Sequence, residues 1–104
     1  KCLYCCISHT YMLSKLLKSQ VKAKKILINY QASEINKKHK TMLDFVSKIT
    51  ISSNKIDDKD RNYLRKEKFS ELQILEIIEV AAFFNMTNRI ASGTNMMPNL
   101  EYYN

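Results

Sequence analysis

Apolar residues along the chain recur every three or four positions, the spacing of an amphipathic helix rather than of a strand. The helices predicted from this spacing cover residues 2–19, 21–31, 41–51, 57–68 and 72–90. Segments 32–40 and 52–55 are polar and are predicted to be loop and linker. Within the charged segment 57–68, Tyr63 and Leu64 are expected to face inward. The pattern indicates an all-α fold.

The longest predicted helix begins with a capping box. The Ser70 hydroxyl can accept from a free backbone amide, and Gln73 can reach back to the Ser70 amide. Phe69 is placed to pack on Ile74 as a hydrophobic staple. Beyond the cap this helix is apolar on most faces, which predicts burial against other subunits. Pro98 bars its continuation beyond about residue 97.

A polar stripe interrupts the apolar surface of that helix near its end. Its members are three or four residues apart, which places them on one face. They are Asn85, Asn88, Ser92 and Asn95. We interpret the stripe as hydrogen bonding within a subunit interface, and the alternative is a pocket wall beside a reactive group.

The composition is that of one small folded domain. The chain has 104 residues, 45% of them hydrophobic, and only one Gly and one Pro. Few turn residues at this length argue against a β fold. We therefore predict a single helical domain over residues 1–104. Its reactive residues start right after Lys1, so we expect that an N-terminal segment is missing.

The net charge of +7 comes mainly from lysines dispersed among polar residues. Recognition of bases and phosphates favours arginine, so a solvated surface is the preferred interpretation and nucleic acid is not an expected partner. No apolar run is long enough to span a membrane. Three cysteines within the first six residues do not form a disulfide framework and predict a reducing compartment, first the cytoplasm and otherwise an organelle.

Cys2, Cys5 and His9 form the most informative constellation of the sequence. On a helix that turns by about 100° per residue, the three side chains share one face. Residues three apart are close enough for a disulfide after modest relaxation. A helix N-terminus lowers the pKa of a thiol, and His9 can exchange a proton with Cys5. These are the groups that a redox-active dithiol requires.

Other interpretations of the cysteines remain open. Cys2 and Cys6 are an alternative pair at helical spacing, although Cys6 is expected to be a small buried apolar residue. All three cysteines could serve packing alone. A zinc site would need Cys2, Cys5 and His9 with either Cys6 or His39, but structural zinc usually takes a second ligand pair at a distance, so no metal is expected. His39 is expected on the surface of a lysine-rich loop.

The pattern Cys-x-x-Cys-x-x-x-His at the start of a helix resembles the alkylhydroperoxidase D-like branch of the carboxymuconolactone decarboxylase family. Segment 42–50 is similar to that family's mid-domain helix. Segment 69–85, followed by Asn88 and Arg89, is similar to the last long helix of its peroxidase-related subgroup. The likeness runs in order from Cys2 to about Asn95.

The resemblance implies an all-helical AhpD-like fold that forms homo-oligomers. It implies that Cys5 attacks a peroxide, that Cys2 resolves the product as a disulfide, and that His9 assists proton transfer. The substrate would be a hydroperoxide or a disulfide, and an external dithiol, either a protein or a small thiol, would regenerate the pair without a bound cofactor. Well-studied relatives also use a Glu about a dozen residues before the first Cys, a position that this sequence does not contain.

The sequence therefore predicts a thiol-dependent antioxidant enzyme. The first alternative is a non-catalytic oligomeric scaffold of the same fold. A basic nucleic-acid-binding helical domain is a weaker alternative, and it predicts salt-sensitive binding.

Overall fold

The computed structural model describes residues 2–103, and all regular secondary structure in that range is helical. The all-α prediction is therefore confirmed. The α-helices are α1 (Leu3–Leu17), α2 (Gln20–Asn29), α3 (Lys37–Ser52), α4 (Asp58–Lys66) and α5 (Glu71–Gly93). Short 3-10 helices lie at Tyr30–Ala32, Ser53–Lys55 and Leu100–Tyr103.

The chain divides into two compact units, and the boundary lies within α5. The first unit comprises Lys1–Glu34 and Met86–Asn104, and the second comprises Ile35–Asn85. The assignment of residues 1–104 to a single domain stays a prediction.

In the first unit, α1 and α2 are joined by a very short connection. Lys18 adopts a left-handed conformation with φ 55°, and the Ser19 amide donates to the Ser14 carbonyl at 3.0 Å. This hydrogen bond closes α1 in a Schellman-type turn. Ser19 then caps α2, because its hydroxyl accepts from the Lys22 amide at 3.1 Å. The two helices consequently pack against each other as neighbours.

The second unit contains the larger apolar core. Phe45 of α3, Leu64 of α4 and Ile74 of α5 are buried together. Partly buried apolar side chains surround them: Met42, Ile49, Ile56, Phe69, Ile77 and Ile78. The predicted capping box at Ser70 is confirmed, with hydrogen bonds of 2.8 and 3.1 Å between Ser70 and Gln73. Phe69 packs on the cluster that contains Ile74, as a hydrophobic staple requires.

A second capping box starts α4. The Asp60 amide donates to Asp57 Oδ1 at 3.1 Å, and the Asp57 amide donates to Asp60 Oδ2 at 3.0 Å. Asp60 also pairs with Lys48 of α3, whose Nζ lies 2.8 Å from Oδ2. The Lys48 ammonium is the main reason why the pKa of the Asp60 carboxyl is lowered. One carboxylate thus links the start of α4 to α3.

Two details of this unit differ from the prediction. Helix α3 begins at Lys37 rather than Thr41, because the Asn36 side chain accepts from the His39 amide at 2.9 Å and caps it. His39 is therefore an exposed residue of a helix and not of a loop. Tyr63 is 51% exposed, whereas Leu64 is fully buried as predicted, because α4 turns only a narrow stripe toward the core.

Helix α5 ends at Gly93, earlier than Pro98 alone would require. Asn95 has a left-handed backbone with φ 54°, and the Met96 amide donates to the Ala91 carbonyl at 2.9 Å. Asn95 thus belongs to the turn that closes the helix and not to the predicted polar stripe. In residues 2–103, no helix is long and apolar enough to cross a membrane.

Apolar side chains along α5 remain largely exposed in the described chain. Seven large ones are at least 40% exposed: Leu72, Leu75, Val80, Phe83, Phe84, Met86 and Ile90. Burial of this helix against other subunits stays a prediction.

Candidate active site

Cys2 occupies the N-cap position of α1 rather than its first turn. Its backbone is extended, with φ −92° and ψ 113°, and its sulfur accepts a hydrogen bond from the Cys5 amide at 3.3 Å. The first backbone amides of a helix lack partners within the helix, and the helix dipole there favours negative charge. A thiolate at Cys2 would therefore lie where the backbone of α1 stabilises it.

The two thiols of the predicted pair have opposite pKa shifts. The pKa of Cys2 is lowered, chiefly because the Cys5 side chain donates a hydrogen bond to it. Burial and the neighbouring Cys2 raise the pKa of Cys5 to about 11. Both thiols are only 8% exposed. In this reduced state the first proton is therefore lost from Cys2 and not from Cys5, the thiol to which the resemblance assigns the attack on peroxide.

The end of α5 contributes a wall to the dithiol. Ala91 is buried against Cys2 and Cys5, and Tyr4 packs on the same cluster. The Ser92 side chain hydrogen-bonds to Cys2 and also lowers its pKa. Ser92 was part of the predicted polar stripe, so at this position the pocket-wall interpretation is supported. Nothing in the sequence pointed to Ala91, because a small apolar residue in an apolar helix has no distinguishing signal.

His9 lies on α1 one turn beyond Cys5, and its side chain is exposed. Buried Ser8 precedes it and donates to the Tyr4 carbonyl at 2.6 Å, which holds the first two turns of α1 together. The helical spacing from Cys5 to His9 is thus the one that the sequence predicted. Its role in proton transfer stays a prediction.

Cys6 differs from the buried apolar residue that we expected. It is half-buried, and it lines a cavity of about 90 Å³ between α1, α2 and the C-terminal 3-10 helix. Two of its lining residues, Tyr11 and Tyr102, are in ring contact, with 5.0 Å between their centroids. Cys6 also contributes electrostatically to the raised pKa of Cys5, its neighbour in the chain.

A zinc site would need three or four ligating side chains that converge on one point. Among residues 2–103, no three His, Cys, Asp or Glu side chains are arranged to hold a metal ion. The three cysteines are all free thiols. The arrangement at the start of α1 is instead suited to two-electron thiol chemistry, with one ionisable sulfur and a second in hydrogen-bonding contact.

Comparison with known proteins identifies similar solved structures. No protein-family model matches the chain, and no curated protein matches it. Among solved structures, it is similar to an uncharacterized peroxidase-related protein from Silicibacter sp. TM1040, with a TM-score of 0.95 and 38% identity over 98% of this chain. An uncharacterized peroxidase-related protein from Ralstonia eutropha JMP134, described as an alkylhydroperoxidase AhpD core, gives a TM-score of 0.92 and 31% identity over 98%.

The chain spans about half the length of these structures, 53% of the first and 54% of the second. Within that half, the two share both the helical path and about a third of the residues with this chain. The predicted resemblance is therefore confirmed: over that half, the chain is similar in fold and sequence to AhpD-like, peroxidase-related proteins.

Proposed function

We propose that the chain is a thiol-dependent antioxidant enzyme that reduces a hydroperoxide or a disulfide with Cys2 and Cys5. The observation that carries this proposal is the 3.3 Å hydrogen bond from the Cys5 amide to the Cys2 sulfur at the N-terminus of α1. It links the backbone of Cys5 to the Cys2 sulfur and stabilises negative charge on that sulfur. The description of both similar structures as peroxidase-related supports the same activity.

In the peroxide reaction, Cys5 is the attacking thiol. Its proton moves through the hydrogen bond to the Cys2 thiolate, and the resulting Cys5 thiolate attacks the terminal peroxide oxygen. The O–O bond breaks, Cys5 becomes a sulfenic acid, and the alkoxide takes a proton with the help of His9. Cys2 then loses its proton and attacks the Cys5 sulfur, which forms the disulfide and releases water. The peroxide has gained two electrons and the dithiol has lost them.

Disulfide reduction is the second candidate, and the order of the two thiol pKa values favours it. The Cys2 thiolate would attack a substrate disulfide and form a mixed disulfide. Cys5 would then attack the Cys2 sulfur and release the second substrate thiol. The same internal disulfide results, so an external dithiol can regenerate the pair in both cases without a bound cofactor.

Hydroperoxide consumption with dithiothreitol as the donor tests the proposal, for the wild type beside Cys5→Ser and Cys2→Ser. We expect turnover only in the wild type. Dimedone, which labels sulfenic acid, should label Cys5 in Cys2→Ser. Accumulation of a mixed disulfide on Cys2 in Cys5→Ser, with no dimedone label in Cys2→Ser, would assign the chain to disulfide reduction instead.

Absence of both reactions in the wild type would overturn the enzymatic proposal in favour of an oligomeric scaffold. Self-association belongs to both proposals, because exposed Phe83, Phe84 and Ile90 of α5 leave apolar area for a second copy of the chain. Sedimentation equilibrium measures it, and a monomer at all concentrations would remove self-association from both.

A further inference from the structure

Cys6 is the one cysteine for which the proposed reaction has no use, and it is also the most accessible. Cys2 and Cys5 are each 8% exposed, whereas Cys6 is half-buried and faces a cavity. A donor dithiol must bring its own sulfur into line with a protein disulfide. The buried bridge between Cys2 and Cys5 offers little room for that approach.

We propose that Cys6 is a third redox thiol, which transfers the disulfide from Cys2–Cys5 to Cys2–Cys6 and exposes it to the donor dithiol at the cavity. This inference rests on the proposed function, since it concerns how the oxidised pair is regenerated. It assigns to the cavity the role of the donor's entry site.

The backbone at the start of α1 brings Cys2 within reach of both partners. The Cys5 amide donates to the Cys2 sulfur at 3.3 Å, and the Cys6 amide donates to the Cys2 carbonyl at 2.9 Å. Cys6 is thus one helical turn from Cys2, where Cβ atoms are separated by about 5–6 Å. A disulfide needs about 3.5–4.5 Å. Cys2 is the cap and not a residue of the helix, so its extended backbone can supply the necessary shift.

The exchange step is balanced without an external oxidant. The Cys6 thiolate attacks the Cys2 sulfur, the Cys2–Cys6 bond forms, and the Cys2–Cys5 bond breaks. Cys5 leaves as a thiolate and takes up the proton that Cys6 released. Burial, the main cause of the raised pKa of Cys5, favours the protonated thiol as the product of the exchange.

The reduction step then occurs at Cys6. One donor thiolate attacks the Cys6 sulfur and forms a mixed disulfide, while Cys2 leaves as a thiolate. Cys2 is a favourable leaving group because its pKa is lowered. The second donor thiol closes the donor's own disulfide and releases Cys6. Two electrons and two protons have passed from the donor to the protein.

The cavity has a lining that suits the thiol end of a donor dithiol. Its volume is about 90 Å³, and its walls combine apolar, hydroxyl and cationic groups. The residues that matter to a bound donor are Cys6, Thr10, Tyr11, Lys24, Leu27 and Tyr102. The apolar rings and Leu27 suit the carbon chain of a dithiol, and the Lys24 ammonium favours a thiolate or carboxylate on it.

Disulfide mapping over time tests the transfer directly. The wild-type chain is oxidised with one equivalent of diamide, which does not depend on peroxidase activity, and is quenched at intervals with N-ethylmaleimide. Tandem mass spectrometry then identifies the one alkylated cysteine. We expect the label first on Cys6 and later also on Cys5, in at least about a tenth of the molecules. A label that stays on Cys6 at all times would overturn the proposal.

Reduction kinetics provide the second measurement. Dithiothreitol should reduce the disulfide of Cys6→Ser and of Cys6→Ala at least about tenfold more slowly than that of the wild type. Met12→Ser changes an exposed sulfur-bearing residue on the same helix away from the cavity, and it should match the wild type. Equal rates in all four proteins would contradict the role of Cys6. If the wild type turns over peroxide but the label stays on Cys6, the proposed function stands and the role of Cys6 is wrong. If the label moves to Cys5 without peroxide turnover, the role of Cys6 stands and the proposed peroxidase activity is wrong.

Discussion

Helices α1 and α4 begin with different capping groups. Helix α4 is capped by Asp57, and Asp60 completes a reciprocal pair of hydrogen bonds at 3.0 and 3.1 Å. Helix α1 is capped by the Cys2 sulfur alone, at 3.3 Å, and its first turn contains no acidic residue. At the N-terminus of α4 the helix dipole is already balanced by carboxylates, whereas at the N-terminus of α1 it can stabilise a thiolate.

The buried cores of the two units also differ, in the size of the apolar side chains that they contain. In the second unit a fully buried Leu64 contacts Phe45 and Ile74 within a shell of further apolar side chains. In the first unit the buried cluster around the helix start consists of Cys2, Cys5 and Ala91. Small residues and thiols bury little apolar area. We infer that the second unit is arranged for stability and that the start of α1 is arranged for chemistry.

Leu64→Ala should have the largest effect and tests this contrast most directly. Leu64 is fully buried, so truncation should cost about 2–5 kcal/mol of unfolding free energy through lost burial and a residual cavity. Ile51→Ala, in the same unit but 80% exposed, should cost less than about 0.5 kcal/mol. Urea titration followed by circular dichroism measures both. Similar midpoints for the two variants would mean that the second unit does not depend on this core.

Replacement of the two helix caps should give a smaller effect and separate the two N-termini. Asp57→Ala removes half of a capping box and should destabilise the chain by about 1 kcal/mol. Cys2→Ala removes a longer and weaker hydrogen bond, and its effect should be clearly smaller. The shift of the urea midpoint compares them under identical conditions. A larger loss for Cys2→Ala would show that the sulfur cap is structural.

Thiol titration tests whether the contacts at the start of α1 lower the pKa of Cys2. The Cys5 side chain is the main cause of the lowered pKa of Cys2, so Cys5→Ala should raise the Cys2 pKa toward its ordinary value. Cys5→Ser keeps a donor and should raise it less. Ser92→Ala should have a still smaller effect in the same direction, because its hydrogen bond contributes less. A thiol with lowered pKa ionises at lower pH, so the iodoacetamide reactivity of Cys2 should begin to rise at lower pH in the wild type. If the pH profile of iodoacetamide reactivity is unchanged in Cys5→Ala, the Cys5 side chain is not the cause of the lowered Cys2 pKa.

Helical periodicity and cap chemistry explain how much of this could be predicted. The apolar spacing identified each α-helix, and Ser70 with Gln73 located the start of α5 because both act within one turn. The start of α3 was missed because its first turn, from Lys37 to Lys40, contains no apolar residue and Asn36 alone marks it. Local patterns were sufficient wherever the determining contacts lie within a few residues.

The candidate site was predictable in composition but not in electrostatics. The spacing of Cys2, Cys5 and His9 follows from helix geometry alone. Which thiol ionises first depends on burial against Ala91 and on Ser92, residues nearly ninety positions away in the sequence and brought close only by folding. The use of Cys as an N-cap was also hidden, because helix caps are usually sought among Ser, Thr, Asp and Asn.

The C-termini of α1 and α4, unlike their N-termini, are closed in the same way, and this should produce the smallest effect. Lys18 and Lys68 both have positive φ, 55° and 70°, and in each case the next amide donates to the carbonyl five residues before it. Left-handed backbone costs a non-glycine residue about 1–2 kcal/mol, part of which glycine recovers. Lys18→Gly and Lys68→Gly should each stabilise the chain by about 0.5–1 kcal/mol in urea titration. Lys66→Gly, within the last turn of α4, should instead destabilise it by a similar amount.

Equal gains at Lys18 and Lys68 would confine the difference between the two helices to their N-termini, where one carries a carboxylate and the other a thiol. A gain at Lys68 alone would show that the two helices differ at both ends.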